Sequence, residues 1–245
     1  MRSIVNLVVI DSSDSLRPPA FDIMMIIISS LGAALATIQP ISEPHVAARI
    51  ILDPTLFAAT IFLALRGSAG IAGLIQRGIM DVYLSYPVSR RSVFLIIYIS
   101  RVVLPAGTLL VSPLLVAAIV LFPVVSRDPA SYIIVFAAYL VQAVMFGSIF
   151  LLLGLVARST GSASVASITV YFAYNITSLL LSIIGTTLRS DSMTSLADAM
   201  SFYYMVYRSM LGVEVELWQF LLVPAIILLV ILAGYIYFTR RFEPR

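Results

Sequence analysis

The stretch LIQRGIMDVYLSYPVSRRSVF, residues 74–94, is polar and patterned, and it separates two long apolar segments. Its apolar residues recur at helical spacing, which predicts a short amphipathic helix: Ile79, Val82, Tyr83 and Tyr86. Pro87 is expected to end this helix, because proline disfavours the α conformation of the residue before it. Ser89 then predicts the N-cap of the following helix. The stretch therefore reads as a helical turn between two spans.

The composition is too apolar for an ordinary soluble domain. Of the 245 residues, 61% are hydrophobic and 11% are charged, whereas soluble domains average about 45–50% apolar residues. Six windows reach the roughly 20 apolar residues that a bilayer-spanning helix needs. We therefore predict an all-α integral membrane protein with a single domain over residues 1–245. Its spans are expected at approximately residues 20–39, 51–74, 93–122, 132–157, 162–186 and 217–238.

The residue types that are missing exclude several chemistries. All fifteen basic residues are Arg, and there is no Cys. Without Lys the chain has neither a P-loop nor a Schiff-base amine, and without Cys it has no thiolate nucleophile or thiolate metal site. The single histidine, His45, is interpreted as a solvated loop residue, because a zinc site needs further ligands. We expect no catalytic residue, no metal and no cofactor in this chain.

The distribution of Arg predicts the orientation. With both termini in the cytoplasm, nine Arg residues fall on the inside and four on the outside, as positively charged cytoplasmic loops require. Residues 74–94 then lie on the cytoplasmic side of the cell membrane. Arg66 and Arg101 fall inside predicted spans, where we expect them to snorkel to headgroups. The run Ile4 to Ile10 is short for a signal peptide, and residues 1–19 are interpreted as a short interfacial helix.

Two further features bear on a transport path. Residues 188–216 carry an aromatic run that predicts an amphipathic helix, either anchored in the outer interface or dipping into the membrane. Uncharged polar residues within spans four and five are candidates for a translocation path, or else form hydrogen bonds between helices: Gln142, Tyr171, Tyr174, Asn175 and Ser178. The glycines Gly67, Gly70 and Gly73 in span two favour close packing or bending.

Arg90 and Arg91 are unusual because they occupy the first turn of a predicted helix. The helix dipole disfavours cations there by about 0.3–1 kcal/mol each. Lipid phosphates would offset that cost, and so would an acidic surface of a docked partner.

In these residues the chain resembles the ABC-2 type permeases, the transmembrane subunits of a class of ABC transporters. The matching positions of the family pattern are Gly78, Asp81, Leu84, Ser85, Pro87, Val88, Ser89 and Arg90. Three positions depart from it: Gln76 replaces an acid, Ile79 replaces a Thr, and Ile97 stands where the family often has a cation.

The resemblance implies that the turn is a coupling helix that contacts a separate nucleotide-binding subunit. The coupling residues it implies are Gly78, Met80, Asp81, Tyr83, Leu84, Tyr86, Pro87, Val88, Ser89, Arg90 and Arg91. That ATPase partner would bind ATP and Mg²⁺, and two permeases would form a homodimer or pseudo-dimer. Nucleic acid is not expected as a partner.

The expected function is therefore export of an amphipathic or hydrophobic substrate, since the spans carry few charges. Two alternatives remain open at this point. A channel or secondary carrier would carry charged residues deep in a span, for which Arg66 and Arg101 are the candidates. A membrane scaffold subunit would need neither these charges nor a cytosolic partner at the turn.

Overall fold

The computed structural model describes residues 11–13, 16, 19–38, 41–157 and 159–242, and every regular element in them is helical. Six helical segments are long and apolar enough to cross a membrane, which fits a multi-pass membrane protein. They are Ala20–Ile38, Pro44–Gln76, Arg90–Val120, Pro129–Val156, Thr160–Leu188 and Leu217–Arg241. All six predicted spans are confirmed as helices, and the second begins seven residues earlier than predicted. The interfacial helix predicted over residues 1–19 lies mostly outside the described residues.

The first three spans contain two interruptions of the α-helical pattern. The α-helices of these spans, and of the turn between spans two and three, are α1 (Ala20–Ile38), α2 (Pro44–Phe62), α3 (Ala69–Gln76), α4 (Ile79–Ser85, in the turn), α5 (Arg90–Tyr98) and α6 (Leu104–Val120). A π-helical turn at Leu63–Ser68 joins α2 to α3, and a second at Ile99–Val103 joins α5 to α6. Such turns insert a residue into a helix and occur often at functional sites. Spans two and three therefore each contain a local distortion.

The second half of the chain contains three long helices and a helical hairpin. Its elements are α7 (Phe122–Val125), α8 (Pro129–Val156), α9 (Thr160–Leu188), α10 (Asp191–Ala199), α11 (Phe202–Met210) and α12 (Leu217–Arg241). The long helices begin at residues suited to capping. The side chain of Asp128 accepts a hydrogen bond from the Ser131 amide at 3.2 Å, and Ser159 forms a capping box with Ser162. These interactions satisfy amide groups that a helix start leaves unpaired.

Helix α8 is the centre of the bundle. It packs against α2, α6, α9, α11 and α12, and large side chains such as Tyr139, Phe146 and Phe150 are buried along it. By contrast, only 11% of the most apolar window of α9 or of α12 is buried. Apolar residues left outside in this way are what a lipid-facing helix requires. The exposed apolar faces of α1, α9 and α12 therefore fit contact with hydrocarbon.

The two π-helical turns lie side by side. Small residues allow this approach, because a methyl group on Gly67 would come within 3.1 Å of the Arg101 carbonyl oxygen. On the other side of the first turn, a methyl group on Gly154 of α8 would come within 2.6 Å of the Ser68 carbonyl oxygen. The expectation that the span-two glycines serve close packing is borne out at Gly67.

The bundle has two chemically different ends. We call the end that carries α4 the turn end, and the end that carries α10 and α11 the hairpin end. Exposed Arg residues predominate at the turn end, where Asp81 of α4 is also exposed, whereas carboxylates are numerous at the hairpin end. The two ends are described separately below.

Candidate functional site

Helix α4 has one face packed on the bundle and one face exposed. Met80 and Tyr83 are 1% and 7% exposed and belong to a cluster with Phe94 and Ile97 of α5. On the opposite face, Val82 is 54% exposed and Asp81 is also exposed. The predicted helix is confirmed and is amphipathic, but its faces differ from the prediction. Val82 and Tyr86, which were expected on the apolar face, are 54% and 40% exposed, and Met80 lies in the core instead. Its inner face is part of the core that α4 shares with α3 and α5.

Backbone geometry fixes both ends of α4. Gly78 precedes it with a φ of 69°, a conformation that glycine adopts without strain. The helix ends before Pro87, and Tyr86 is extended with a ψ of 150°. Ser89 caps α5 by accepting a hydrogen bond from the Ser92 amide at 3.2 Å. The sequence predictions for Pro87 and Ser89 are confirmed.

The cations of the turn end lie around α4. The Nε of Arg91 donates to the Tyr235 hydroxyl of α12 at 2.9 Å, so the exposed guanidinium is held in a defined position. Arg90 is half-buried, and Arg77 is exposed at the end of α3. Of the other coupling residues, Leu84 and Val88 are half-buried, and Tyr86, Pro87 and Ser89 are exposed. The turn presents a positively charged surface with apolar patches.

A buried ion pair lies just inside the turn end. The Nη2 of Arg101 donates to Oδ1 of Asp11 at 2.6 Å and its Nε donates to the same atom at 3.0 Å. The two side chains are 2% and 0% exposed. The hydroxyls of Ser100 and Tyr83 also donate to the Asp11 carboxylate, the second at 3.2 Å. One carboxylate thus connects the N-terminal segment, the π-helical turn of span three and α4.

The prediction that Arg101 snorkels is therefore wrong, whereas Arg66 is exposed. The guanidinium of Arg101 remains inside because the Asp11 carboxylate lies within reach and neutralises it. Span two provides the space, because a methyl group on Gly70 would overlap the Arg101 Nη1. The apolar setting of Arg101 was visible in the sequence, but its partner, 90 residues away, was not.

At the hairpin end, residues 188–216 form two helices, where the sequence suggested one. Helix α10 runs back along α9, so that Ser178 contacts Ala197 and Tyr174 contacts Met200. Helix α11 then returns along α8 toward the start of α2. The break lies at Ser201, roughly 20 Å along the helix axis from the nearer ends of α8 and α9. The hairpin thus re-enters the bundle.

Polar side chains of spans four and five bind the backbone at this break. The Phe202 amide donates to Oε1 of Gln142 at 2.9 Å, and Nε2 of Gln142 donates to the Met200 carbonyl at 3.4 Å. The Tyr174 hydroxyl donates to the same carbonyl. These bonds satisfy backbone groups that two helix ends leave unpaired. The hydrogen bonds of Gln142 and Tyr174 therefore hold the break at this position.

The remaining predicted path residues have different surroundings. Tyr171 is buried among aromatic rings, 5.1 Å from the Phe146 ring between centroids. Asn175 is exposed, and its Nδ2 donates to the Tyr171 carbonyl at 2.8 Å. Ser178 donates to the Ala197 carbonyl at 3.2 Å. Four of the five residues therefore make hydrogen bonds with backbone groups, and three of those four bind the hairpin.

A cavity of about 310 Å³ lies between α9 and the hairpin. Helix α9 contributes Asn175, Ser178, Leu179 and Ser182 to its wall. The hairpin contributes Ala197, Asp198, Ser201, Tyr203 and Tyr204. Of these nine lining residues, all but Leu179 and Ala197 carry a polar side chain, so the cavity is suited to a polar group. The sequence pointed to Asn175 and Ser178, whereas the serines and tyrosines of the hairpin were not recognised.

An ion pair and a contact between a cation and an aromatic ring lie at the hairpin near this cavity. Asp198 forms an ion pair with Arg208. Burial raises the pKa of the Asp198 carboxyl, and the adjacent Arg208 opposes that shift. The guanidinium of Arg49 lies 4.4 Å from the centre of the Tyr207 ring, where the attraction between a cation and an aromatic face is favourable. His45 is a helical residue of α2 beside Tyr207, and not the loop residue that the sequence suggested.

Comparisons with known proteins add no assignment: no protein-family model and no curated protein sequence matches this chain. Within the part of the chain that the structure describes, no three His, Cys, Asp or Glu side chains form a group suited to a metal ion. The candidate site therefore has two parts, the turn with its ion pair and the cavity beside the hairpin.

Proposed function

We propose that the chain is the transmembrane permease subunit of an ABC transporter, of the ABC-2 type that residues 74–94 resemble. It exports an amphipathic or hydrophobic substrate across the cell membrane, and a separate subunit hydrolyses the ATP. In this proposal both termini and α4 are cytoplasmic, and two permease chains form a homodimer or pseudo-dimer. ATP and Mg²⁺ bind to the partner, while this chain supplies the coupling surface and the path.

The observation that carries the proposal is the two-faced helix α4. Its inner face, with Met80 and Tyr83, packs in the core, and its outer face, with Asp81 and Val82, is exposed. A coupling element needs both properties, because it must bind a partner and move the spans. The exposed guanidinium of Arg91 is held in place by Tyr235. An acidic surface on the partner would complement this positive charge.

The two π-helical turns support the same mechanism. They lie in the two spans that α4 connects, next to the Asp11–Arg101 ion pair that Tyr83 of α4 also contacts. In the proposed mechanism, closure of the ATPase dimer pushes α4 and tilts spans two and three at these distortions. The ion pair makes α4 and the turns move as one unit.

The test is purification of the native complex in a mild detergent, followed by mass spectrometry and an ATPase assay. We expect a stoichiometric partner with a Walker motif. In the double variant Arg90→Glu/Arg91→Glu, recovery of that partner should fall by about tenfold or more, because two cations at the interface are reversed. The variant should still insert and elute as a single species.

A matched control is Arg127→Glu, which reverses an exposed cation at the hairpin end. It should leave recovery of the ATPase unchanged. Equal loss of the partner in both variants would show that the effect is one of overall charge. A chain that purifies without any ATPase would overturn the proposal and favour the alternative of a channel, secondary carrier or scaffold.

A further inference from the structure

The cavity beside the hairpin combines features that point to a ligand. Three groups on its walls have unused hydrogen-bonding capacity among the described residues: the hydroxyls of Ser182 and Tyr204 and the carboxamide oxygen of Asn175. Asn175 lies roughly 20 Å along the helix axis from the end of α9. Asn175 is exposed and Ser182 and Tyr204 are half-buried, so a ligand in the cavity can reach all three groups. The three groups lie on two different walls and line one space.

The chemistry of the walls restricts the class of ligand. Asp198 is the single charged lining residue, and Arg208 neutralises it. The other polar groups are hydroxyls and one carboxamide, which bind neutral donors and acceptors. A volume of about 310 Å³ is at the lower end of the usual range for ligand pockets, about 300–1,000 Å³. The cavity therefore suits a small, neutral group rich in hydroxyls, such as one sugar ring.

An apolar surface adjoins the cavity. Leu179 lines the cavity and is itself 60% exposed, and Ile176 and Ile183 on the same helix are 53% and 51% exposed. These residues belong to the outer face of α9, which the bundle leaves uncovered. A ligand whose polar head occupies the cavity would place its apolar part against this face.

We propose that this cavity binds the neutral, hydroxyl-rich headgroup of an amphiphile, and that the hydrocarbon chain of the amphiphile lies along the exposed face of α9. The inference deepens the proposed function and rests on it for one point, namely that this amphiphile is the exported substrate. Binding itself depends only on α9 and the hairpin.

The test measures lipid binding by native mass spectrometry of the full chain, purified in an amine-oxide detergent without sugar groups. The probes are dioleoyl glycerol carrying one glucose, dioleoyl phosphatidylcholine with the same chains, and free glucose. We expect the glucolipid to bind about tenfold more tightly than the phospholipid, since its hydroxyls meet several wall groups. Free glucose at millimolar concentration should bind less than the glucolipid, because glucose lacks the hydrocarbon chain.

Two variants locate the binding. Asn175→Leu combined with Ser182→Ala removes polar groups of the α9 wall, and Tyr204→Phe removes only one hydroxyl of the hairpin wall. Both should abolish most of the preference for the glucolipid. The control Thr177→Val changes an exposed residue at the same level of α9 that does not line the cavity, and it should keep the preference. Should the double variant not fold, Tyr204→Phe provides the same test.

Equal binding of both lipids, or a preference unchanged in Tyr204→Phe, would overturn the inference. Equal binding of free glucose and glucolipid would overturn the part that concerns the hydrocarbon chain. These failures are separate from failure of the proposed function. A chain that binds the ATPase without preferring the glucolipid refutes only the cavity assignment, and a chain with the preference but no ATPase refutes only the transporter.

Discussion

Arg101 is a cation that an apolar span keeps inside the protein. Its guanidinium forms hydrogen bonds with Asp11 and has room because Gly70 has no side chain. Burial of two charges has a desolvation cost that their attraction repays only with good geometry. Such a pair contributes less to net stability than its distances suggest, but removal of one partner leaves the other charged, buried and unpaired.

We therefore expect Arg101→Leu to destabilise the protein by about 3–5 kcal/mol, because Asp11 is left without its counter-charge. The measurement is the midpoint of thermal unfolding in detergent, monitored by size-exclusion chromatography of heated samples. The double variant Asp11→Leu/Arg101→Leu should recover most of the lost midpoint, since no charge then remains in the apolar site. The single variant Asp11→Leu completes the cycle. If the loss in the double variant equals the sum of the losses in the two single variants, the pair is not coupled.

At the scale of elements, the sequence predicted the spans well and the hairpin only in part. The spans follow from apolar runs that exceed the length of any other helix. Spans four and five begin three and two residues before their predicted starts, because Asp128 and Ser159 cap them there. The aromatic spacing near Tyr203 and Tyr207 correctly indicated helix. The break at Ser201 depends on Gln142, about 60 residues earlier in the chain, so local pattern does not reveal it.

The same contrast holds for the candidate site. Helix α4, its end before Pro87 and the cap at Ser89 depend on neighbours in sequence, and they were predictable. The Asp11–Arg101 pair and the walls of the cavity depend on which helices pack together, and a single sequence does not contain that information. Gln142 and Ser178 were found because polar residues are rare in apolar spans, although the sequence left open what they bind.

The hairpin gives a prediction at this scale. Gln142 is 2% exposed and binds both sides of the break, so Gln142→Leu leaves the Phe202 amide without its partner and the Met200 carbonyl with one bond fewer. A buried backbone group that loses its bond costs about 1–3 kcal/mol. We expect faster hydrogen exchange throughout residues 188–216 in this variant, measured by mass spectrometry, with the six spans unchanged.

The matched control is Gln76→Leu, an exposed glutamine at the turn end. It should leave exchange in the hairpin as in the unmodified chain. If Gln142→Leu also leaves that exchange unchanged, Gln142 does not determine the position of the hairpin.

At the scale of the whole molecule, the two ends differ in charge. The described cations of the turn end, Arg77, Arg90, Arg91, Arg240 and Arg241, outnumber the exposed acid Asp81, whereas the hairpin end combines Arg49, Arg127 and Arg208 with several carboxylates. Positively charged segments are retained on the cytoplasmic side of a membrane. The asymmetry supports a cytoplasmic turn end, the side on which ATP is present and on which the proposed partner must bind.

The chain contains no cysteine, so single cysteines report this orientation without background. Val82→Cys on α4 and Leu211→Cys after α11 form a matched pair, because both positions are 54% exposed and lie at opposite ends. In intact cells a membrane-impermeant maleimide should label Leu211→Cys and not Val82→Cys, and permeabilisation should make the two equal. The reverse pattern would place α4 outside the cell, where no ATPase can reach it, and the transporter proposal would fail with the orientation.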